Sequence, residues 1–173
     1  YIRSIPDYPK KGILFRDITT LIKNEIAFTE TINQIIERSK KFKFNKVAAI
    51  ESRGFVFASA VSYVLKKPFI MLRKKNKLPA ETHSIDFELE YGTATIEVHK
   101  DSIKENDAVL IIDDLIATGG TALACADLVH EHWNISKDNI TILAVIDLPD
   151  LGGSAIIKEA GFNVETLIEF EGE

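Results

Sequence analysis

The segment from Val109 to Thr121, which reads VLIIDDLIATGGT, constrains the fold of this chain more than any other segment does. The five residues 108–112 are all apolar, and two carboxylates and a turn of small residues come after them. An apolar run without alternation, bounded by turn residues, is typical of a strand that is buried on both faces, as in parallel sheets. We therefore predict an α/β fold whose mostly parallel central sheet is flanked by helices.

The turn after this strand predicts a binding site for a single phosphate group. Ligands of open parallel sheets lie beyond the carboxyl ends of the strands, and the pattern after the turn is helical. Amide groups at a helix N-terminus have no partner within the helix, and glycine lets the backbone approach an anion closely. No lysine follows the glycines, so the turn differs from the loop that binds nucleoside triphosphates. The residues concerned are Ala117, Thr118, Gly119, Gly120 and Thr121. In the alternative, they only form a turn, with Thr121 as the helix cap.

Two adjacent aspartates, Asp113 and Asp114, stand at the predicted end of the strand. Neighbouring residues of a strand point to opposite faces, so we do not expect this pair to share one proton as a catalytic dyad does. Each carboxylate is suited instead to accept hydrogen bonds from a diol. In a ribose phosphate, the diol and the phosphate are separated by about the width of the sugar, which matches a phosphate in the next turn. In the alternative, the pair caps the loop through the loop's own backbone N–H groups.

The composition limits the classes of partner. A formal net charge of -5, from 21 basic and 26 acidic residues, argues against nucleic acid and membrane surfaces as partners. The single cysteine, Cys125, excludes an internal disulfide and is expected in the core, which fits a cytoplasmic location. No apolar stretch approaches the roughly 18 residues of a membrane span, and the first residues lack the apolar region of a signal peptide. The length of 173 residues predicts a single domain over residues 1–173.

The remaining pattern alternates strands with helices, except in the middle. We predict an extended N-terminal lead, helices at 25–41, 55–65, from 121 and up to 160, and strands at 47–50, 68–72, 140–146 and 163–170. Residues 73–86 carry four basic side chains and little periodicity, which predicts a long mobile loop. Residues 87–99 alternate in polarity and predict an antiparallel hairpin that turns at Gly92.

Taken together, these motifs resemble the type I phosphoribosyltransferases, and among them the members that act on adenine. Residues 109–121 are similar to the family's signature for phosphoribosyl pyrophosphate. Further matching motifs occur in family order: IPDYP at 5–9, GILFRDI at 12–18, ESRGF at 51–55, RK at 73–74, KLP at 77–79 and LEYG at 89–92. The match covers residue 2 to about residue 121, and the last fifty residues match mainly in pattern. The resemblance implies the type I phosphoribosyltransferase fold, with a small hood from about 1–20 and a flexible hairpin flap from about 73–99.

The resemblance also implies a reaction and a phosphoribosyl site. The 5-phosphoribosyl group would pass from phosphoribosyl pyrophosphate to N9 of adenine, giving AMP and pyrophosphate in purine salvage. Residues 117–121 would hold the ribose phosphate, and Asp113 and Asp114 the ribose hydroxyls. Magnesium would be bound through the substrate's diphosphate and hydroxyls and not directly by the protein, since Mg²⁺ prefers oxygen and water ligands. A homodimer is expected.

Pyrophosphate would be held by cations on two segments. The resemblance implies that Arg53 contacts it, next to a cis peptide between Glu51 and Ser52. It also implies that a basic flap closes over pyrophosphate through Arg73, Lys74 and Lys77, across a dimer interface.

The resemblance further places the base at the N-terminal end of the chain. Adenine would stack on Phe15 and be recognised by main-chain groups of Leu14 and Arg16, which distinguishes it from 6-oxopurines because the exocyclic group changes from donor to acceptor. Glu90 would handle the proton that N9 loses, or hold N7. Without the resemblance, Phe15 is a core residue and Glu90 a solvated hairpin residue.

Two other functions stay open at this point. An enzyme of the same chemistry that uses a 6-oxopurine would need a different base pocket. A regulator that senses phosphoribosyl pyrophosphate without catalysis is disfavoured by Glu90, the basic flap and Arg53, and by the lack of a helix-turn-helix extension.

Overall fold

A computed structural model of the chain describes residues 1–89 and 91–172. The strands are β1 (Arg3–Pro6), β2 (Leu14–Asp17), β3 (Lys46–Ile50), β4 (Phe69–Lys74), β5 (Thr82–Leu89), β6 (Gly92–His99), β7 (Val109–Ile116), β8 (Ile140–Asp147) and β9 (Asn163–Glu169). The α-helices are α1 (Thr19–Ile22), α2 (Glu25–Ser39), α3 (Arg53–Leu65), α4 (Gly120–Trp133) and α5 (Gly153–Glu159).

The central sheet has the strand order β5-β6-β4-β3-β7-β8-β9 over the described residues. The five strands from β4 to β9 in this order pair in parallel, and the β5–β6 hairpin adds to the edge at β4 in antiparallel fashion. Strands β1 and β2 form a separate antiparallel pair. The predicted mostly parallel sheet flanked by helices is confirmed.

Helices cover both faces of the sheet, which explains the unbroken apolar run in β7. Leu110 and Ile112 pack with residues of α2 and α3, whereas Val109 and Ile111 pack with residues of α4 and α5. All four side chains are completely buried. Cys125 lies in the cluster on the α4 side, so the expected core position is confirmed, and burial raises the pKa of its thiol.

The prediction of a long loop at 73–86 is wrong. Strand β4 continues through Lys74 because β6 pairs with its end, with Arg73 opposite Glu97. Strand β5 begins at Thr82, five residues before the predicted hairpin arm, and its partly buried residues alternate with exposed ones. The hairpin itself is confirmed, with Leu89 opposite Gly92.

The extended N-terminal lead is confirmed and forms the two-stranded sheet of the hood. Asp17, at the end of β2, accepts hydrogen bonds from Arg3 of β1 and from the backbone N–H of Thr19, the latter at 2.9 Å. These bonds lower the pKa of Asp17 to about 2, with the Thr19 backbone bond as the largest cause. Asp17 therefore ties the hood strands to the start of α1. Within the described residues, no helix has both the length and the apolar character of a membrane span.

Candidate active site

Three neighbouring strands, β4, β3 and β7, deliver the polar residues of a cleft of about 590 Å³. Because the strands are parallel, their carboxyl ends meet at one edge of the sheet. This single cleft is lined by all the residues that the sequence predicts for the phosphate, the diol and pyrophosphate. They are residues 53, 73, 74, 77, 113, 114 and 117–121. The fold thus brings these residues together in one site.

Strand β7 is longer than predicted and contains both aspartates. Its pairing with β8 continues to Ile116, which lies opposite Asp147. Its pairing with β3 ends where Ala49 lies opposite Ile112. Beyond that point β7 has no ladder partner on the β3 side in the described register, and the two carboxylates line the cleft there.

The glycine turn forms the N-terminus of α4. Gly119 is the cap residue, with φ of 85°, and a Cβ atom built on it would lie 2.7 Å from the carbonyl oxygen of Gly153. The backbone N–H of Gly153 donates to the carbonyl of Ala117 at 3.1 Å, so the start of α5 supports the turn from behind. Thr121 lies inside α4, which rules out its role as the helix cap. The role of Gly153 was missed by sequence reasoning, although the Gly152-Gly153 pair was a signal for it.

Arg53 is the first residue of α3, and its helix packs directly on β7. A Cβ atom on Gly54 would lie 2.7 Å from the carbonyl oxygen of Ile112, so only glycine permits this approach. Arg53 Nε donates to Asp114 Oδ2 at 2.6 Å, and Asp114 is 4% exposed. The expected cis peptide between Glu51 and Ser52 is confirmed.

The two aspartates have different partners but influence each other. Asp113 Oδ1 accepts a hydrogen bond from the backbone N–H of Asp114 at 2.8 Å. Burial raises the pKa of Asp113, and the nearby carboxyl of Asp114 raises it further through its charge and a side-chain hydrogen bond. That the two carboxyl groups do not share one proton as a catalytic dyad does stays a prediction, because neighbouring residues of a strand point to opposite faces.

Glu51 is a functional candidate that sequence reasoning missed. Its side chain is only 6% exposed, and it accepts hydrogen bonds from Arg73 Nε at 2.8 Å and from Lys77 Nζ at 2.9 Å. Burial raises the pKa of its carboxyl, but the bonds and charges of Lys77 and Arg73 outweigh burial and lower the pKa overall. Glu51 is therefore an ionised group among the predicted pyrophosphate cations.

The hood residues predicted for the base lie beside the cleft and do not line it. Phe15 packs edge-on against Tyr8, with ring centroids 5.1 Å apart, and the Arg53 guanidinium lies 5.8 Å from the centroid of the Phe15 ring. The Arg16 guanidinium covers the ring of Phe170 at 4.3 Å. Arg53 thus connects the hood to the cleft.

The pairing of β1 with β2 fixes the direction of the backbone groups in the hood. The carbonyl of Ile13 accepts a hydrogen bond from the backbone N–H of Tyr8, two residues after β1, so the carbonyl of Ile13 points to the β1 side. The direction of the backbone N–H and C=O groups alternates along a strand. Those of Phe15 therefore point to β1 as well, whereas those of Leu14 and Arg16 point away from it. Pro6, which has no N–H, lies opposite Leu14, a position where this alternation calls for no N–H donor from β1.

Glu90, predicted to handle the proton of the base, lies outside the described residues. Its neighbour Tyr91 is described, and Lys10 Nζ of the hood lies 4.4 Å from the centroid of the Tyr91 ring. The hairpin tip therefore reaches the hood. Over residues 1–89 and 91–172, no three His, Cys, Asp or Glu side chains are grouped as metal ligands.

The cleft presents three kinds of recognition side by side. The N-termini of α3 and α4 bring backbone N–H groups and positive dipole ends to it, β7 brings carboxylates, and β4 brings cations. This order fits a ligand that carries a phosphate, then a diol, then a second anionic group.

Comparisons with known proteins agree with this geometry. A family model described as a phosphoribosyl transferase domain matches residues 17–134. The adenine phosphoribosyltransferase of Pelagibacter ubique (strain HTCC1062) is 72% identical over 173 residues, which cover 99% of this chain and 97% of that protein. The crystal structure of the adenine phosphoribosyltransferase of Thermoanaerobacter pseudethanolicus is similar with a TM-score of 0.90 and 44% identity, covering 98% of this chain and 95% of that one. The Giardia lamblia enzyme, in complex with 9-deazaadenine, is similar with a TM-score of 0.92 and 32% identity, covering 99% and 94%.

Proposed function

The chain belongs to the phosphoribosyl transferase family, among the adenine phosphoribosyltransferases, and on this premise we propose the reaction and the residues that perform it. The enzyme transfers the 5-phosphoribosyl group from phosphoribosyl pyrophosphate to N9 of adenine, giving AMP and pyrophosphate, a step of purine salvage. The observation that carries the proposal is the single cleft in which the glycine turn, the aspartate pair and the cations stand in the order of the substrate's groups. Residues 1–173 act as one catalytic domain.

The phosphoribosyl part of the substrate binds to β7 and the start of α4. The backbone N–H groups of residues 117–121 and the hydroxyls of Thr118 and Thr121 hold the 5-phosphate, with help from the helix dipole of at most about 2 kcal/mol. Asp113 and Asp114 accept hydrogen bonds from the two ribose hydroxyls. These contacts are the same for substrate and product, so they position the anomeric carbon throughout the reaction.

The leaving pyrophosphate binds to Arg53, Arg73, Lys74 and Lys77. The anomeric carbon develops positive charge as the C–O bond to pyrophosphate breaks, and the cations stabilise the negative charge that the leaving group acquires. The hairpin residues close this region against water during the reaction. Arg53 exchanges its bond with Asp114 for bonds to the anion, which frees Asp114 for the ribose.

Adenine binds at the hood, beside Phe15. The ring stacks on Phe15, and the outward backbone groups of Leu14 and Arg16 pair with its amino edge, since one donor and one acceptor are what that edge requires. The complex of the Giardia lamblia relative with 9-deazaadenine supports a purine base as the ligand. Glu90 accepts the N9 proton as the base attacks, or holds N7.

The substrate would bring magnesium with it. When bound, Mg²⁺ would reduce the charge of the diphosphate leaving group, whose oxygen atoms are ligands that this cation prefers. The cleft suits such a complex, because oxygen donors of Asp113, Asp114 and Glu51 line it beside the cations. We assign no protein side chain as a direct ligand.

The outward face of α3 supports a homodimer. Val56, Tyr63 and Val64 lie on this face at helical spacing, and Tyr63 is 86% exposed; Met71 of β4 is 43% exposed. An exposed apolar stripe is typical of a protein interface, and a second copy of the chain offers a matching stripe. Light scattering should give the mass of a dimer for the wild type, and Tyr63→Asp should give a monomer. Ile26→Asp, at an exposed apolar position on α2, should leave the dimer intact.

A cytoplasmic location is consistent with the free thiol of Cys125, which stays reduced in that compartment. Cell fractionation tests this location.

The choice of base is tested by competition. Purified enzyme with Mg²⁺ and limiting phosphoribosyl pyrophosphate receives equal amounts of adenine, hypoxanthine and guanine. AMP should be the dominant product, because the backbone groups of Leu14 and Arg16 match the amino edge. Formation of IMP or GMP in comparable amounts would contradict the assignment of the base, whereas the rest of the site would stand.

A further inference from the structure

We propose that Glu51 is a positioning residue that neutralises the pyrophosphate cations of the cleft and competes with pyrophosphate for them. The proposal rests on the function proposed above, because it concerns the leaving group of that reaction. Glu51 does not contact the reacting atoms in this account. It sets how tightly pyrophosphate binds and how fast it leaves.

The charge of the cleft is the first observation. The described residues that line it include four cations and three carboxylates, so carboxylates of the protein offset much of the positive charge of the site. Most of the positive charge is already paired: Arg53 is bonded to Asp114, and Arg73 and Lys77 are bonded to Glu51. A polyanion therefore shares these cations with internal carboxylates, or replaces those carboxylates as their partners.

The geometry of Glu51 is the second observation. Each of its two carboxylate oxygens accepts a hydrogen bond from a different cation: Oε1 from Arg73 and Oε2 from Lys77. The carboxylate is 6% exposed, whereas Arg73 is 29% and Lys77 46% exposed. A guanidinium has five N–H donors and an ammonium has three, so both cations retain donors for a second anion. Glu51 thus holds the two cations from its buried position, while their remaining N–H donors stay accessible from the cleft.

Alignment and competition have opposite effects on affinity. The aligned cations need less ordering when the anion binds, but the negative charge of Glu51 repels that anion at short range. In a Glu51→Gln variant the amide oxygen still accepts one hydrogen bond, so part of the alignment remains while the charge is gone. We expect the loss of repulsion to dominate because a charge acts on every oxygen of the diphosphate.

The consequence is a trade between binding and turnover. Removing the charge should strengthen the binding of inorganic pyrophosphate by about threefold to tenfold, mainly through slower dissociation. The KM for phosphoribosyl pyrophosphate should fall with it, and kcat should fall where release of pyrophosphate limits the rate. A residue with only a structural role would not produce a lower KM together with a lower kcat.

The test is calorimetric titration of the full chain with inorganic pyrophosphate, with kinetics on the same samples. Glu51→Gln and Glu51→Ser both remove the charge. Either variant decides the question if its melting temperature equals that of the wild type. Glu51→Ser leaves a space that is open to the cleft, so water fills it. Glu51→Asp keeps the charge and should bind pyrophosphate within about twofold of the wild type. Glu37→Gln, on an exposed glutamate of α2 that pairs with Lys40, makes the same change in net charge far from the described cleft lining and should change nothing.

Tighter binding in a folded charge-removing variant, with unchanged binding in Glu37→Gln, supports the proposal. Equal or weaker binding in such a variant overturns it, and so does equal tightening in Glu37→Gln, which would indicate a general charge effect. A wild type that binds pyrophosphate but forms no AMP would overturn the proposed reaction instead, so the two failures are distinguishable.

Discussion

Arg53 Nε and Asp114 Oδ2 lie 2.6 Å apart, which joins the first residue of α3 to the end of β7 across the floor of the cleft. Asp114 is buried, whereas the Arg53 side chain is 54% exposed. The pair links a residue assigned to pyrophosphate with a residue assigned to the ribose. Binding of one part of the substrate is therefore coupled to the group that binds the other.

Replacing Asp114 by asparagine should weaken use of phosphoribosyl pyrophosphate severely while leaving the fold intact. Hydrogen bonds to charged groups contribute about 1.5–3 kcal/mol each, so kcat/KM at limiting substrate should fall roughly 10- to 100-fold. Steady-state kinetics and a melting curve measure the two effects. A normal rate at limiting substrate would contradict the assignment of Asp114 to the diol.

The two glycines of the phosphate turn should respond differently to alanine. Gly119→Ala places a Cβ atom 2.7 Å from the Gly153 carbonyl at a positive φ, so the protein should lose stability, with about 1–2 kcal/mol from the backbone conformation alone. Gly120→Ala meets no atom within 4 Å and should melt like the wild type. Any loss of phosphate affinity in the folded Gly120→Ala protein reports directly on the anion site. Equal melting temperatures for the two variants would contradict the role of the close approach to α5.

Phe15→Leu tests the position of the base. An aromatic stack contributes about 0.5–1.5 kcal/mol beyond burial, so the KM for adenine should rise about threefold to tenfold. The KM for phosphoribosyl pyrophosphate should change little, because Phe15 does not line the cleft that holds it. An equal rise in both constants would show instead that Phe15 supports the whole site through Arg53.

The contact between the hairpin and α4 should depend on pH. The rings of His83 and His132 stack with centroids 4.3 Å apart, and Trp133 packs edge-on against His83. Burial lowers the pKa of His83, and the charges of His132 and Lys100 lower it further. His83 therefore binds a proton at a higher pH in the unfolded chain than in the folded protein. The stability that neutral His83 contributes is complete above about pH 6.5, and it is lost as the pH falls through the pKa of His83 in the folded protein. Melting curves between about pH 8 and pH 5 should show this loss in the wild type and a smaller one in His83→Gln. An identical pH dependence in the two proteins would contradict this account.

The parts of the site that were predictable from sequence are local ones. The strand, the carboxylate pair and the glycine turn of residues 109–121 are consecutive, and short-range rules of burial and backbone geometry apply to them directly. The fold places them as predicted, apart from the longer β7. The bounds of the other helices and strands differ from the predictions by a few residues, since fraying and capping decide them.

Contacts between distant segments were not predictable in this way. Glu51 meets Arg73 only because β4 pairs beside β3, and His83 meets His132 only because the hairpin lies on α4. The basic segment after residue 72 lacked a local signal for strand, because its pairing partner, β6, comes more than twenty residues later. Tertiary pairing overrides weak local pattern in each of these cases.

The central claim is that one cleft transfers the phosphoribosyl group to adenine, and product formation tests it most directly. Purified full chain is incubated with Mg²⁺, phosphoribosyl pyrophosphate and adenine, and AMP and pyrophosphate are both quantified over time. The two products should appear in equal amounts, and neither should form when adenine is omitted. The absence of AMP from a folded preparation that binds phosphoribosyl pyrophosphate would contradict it.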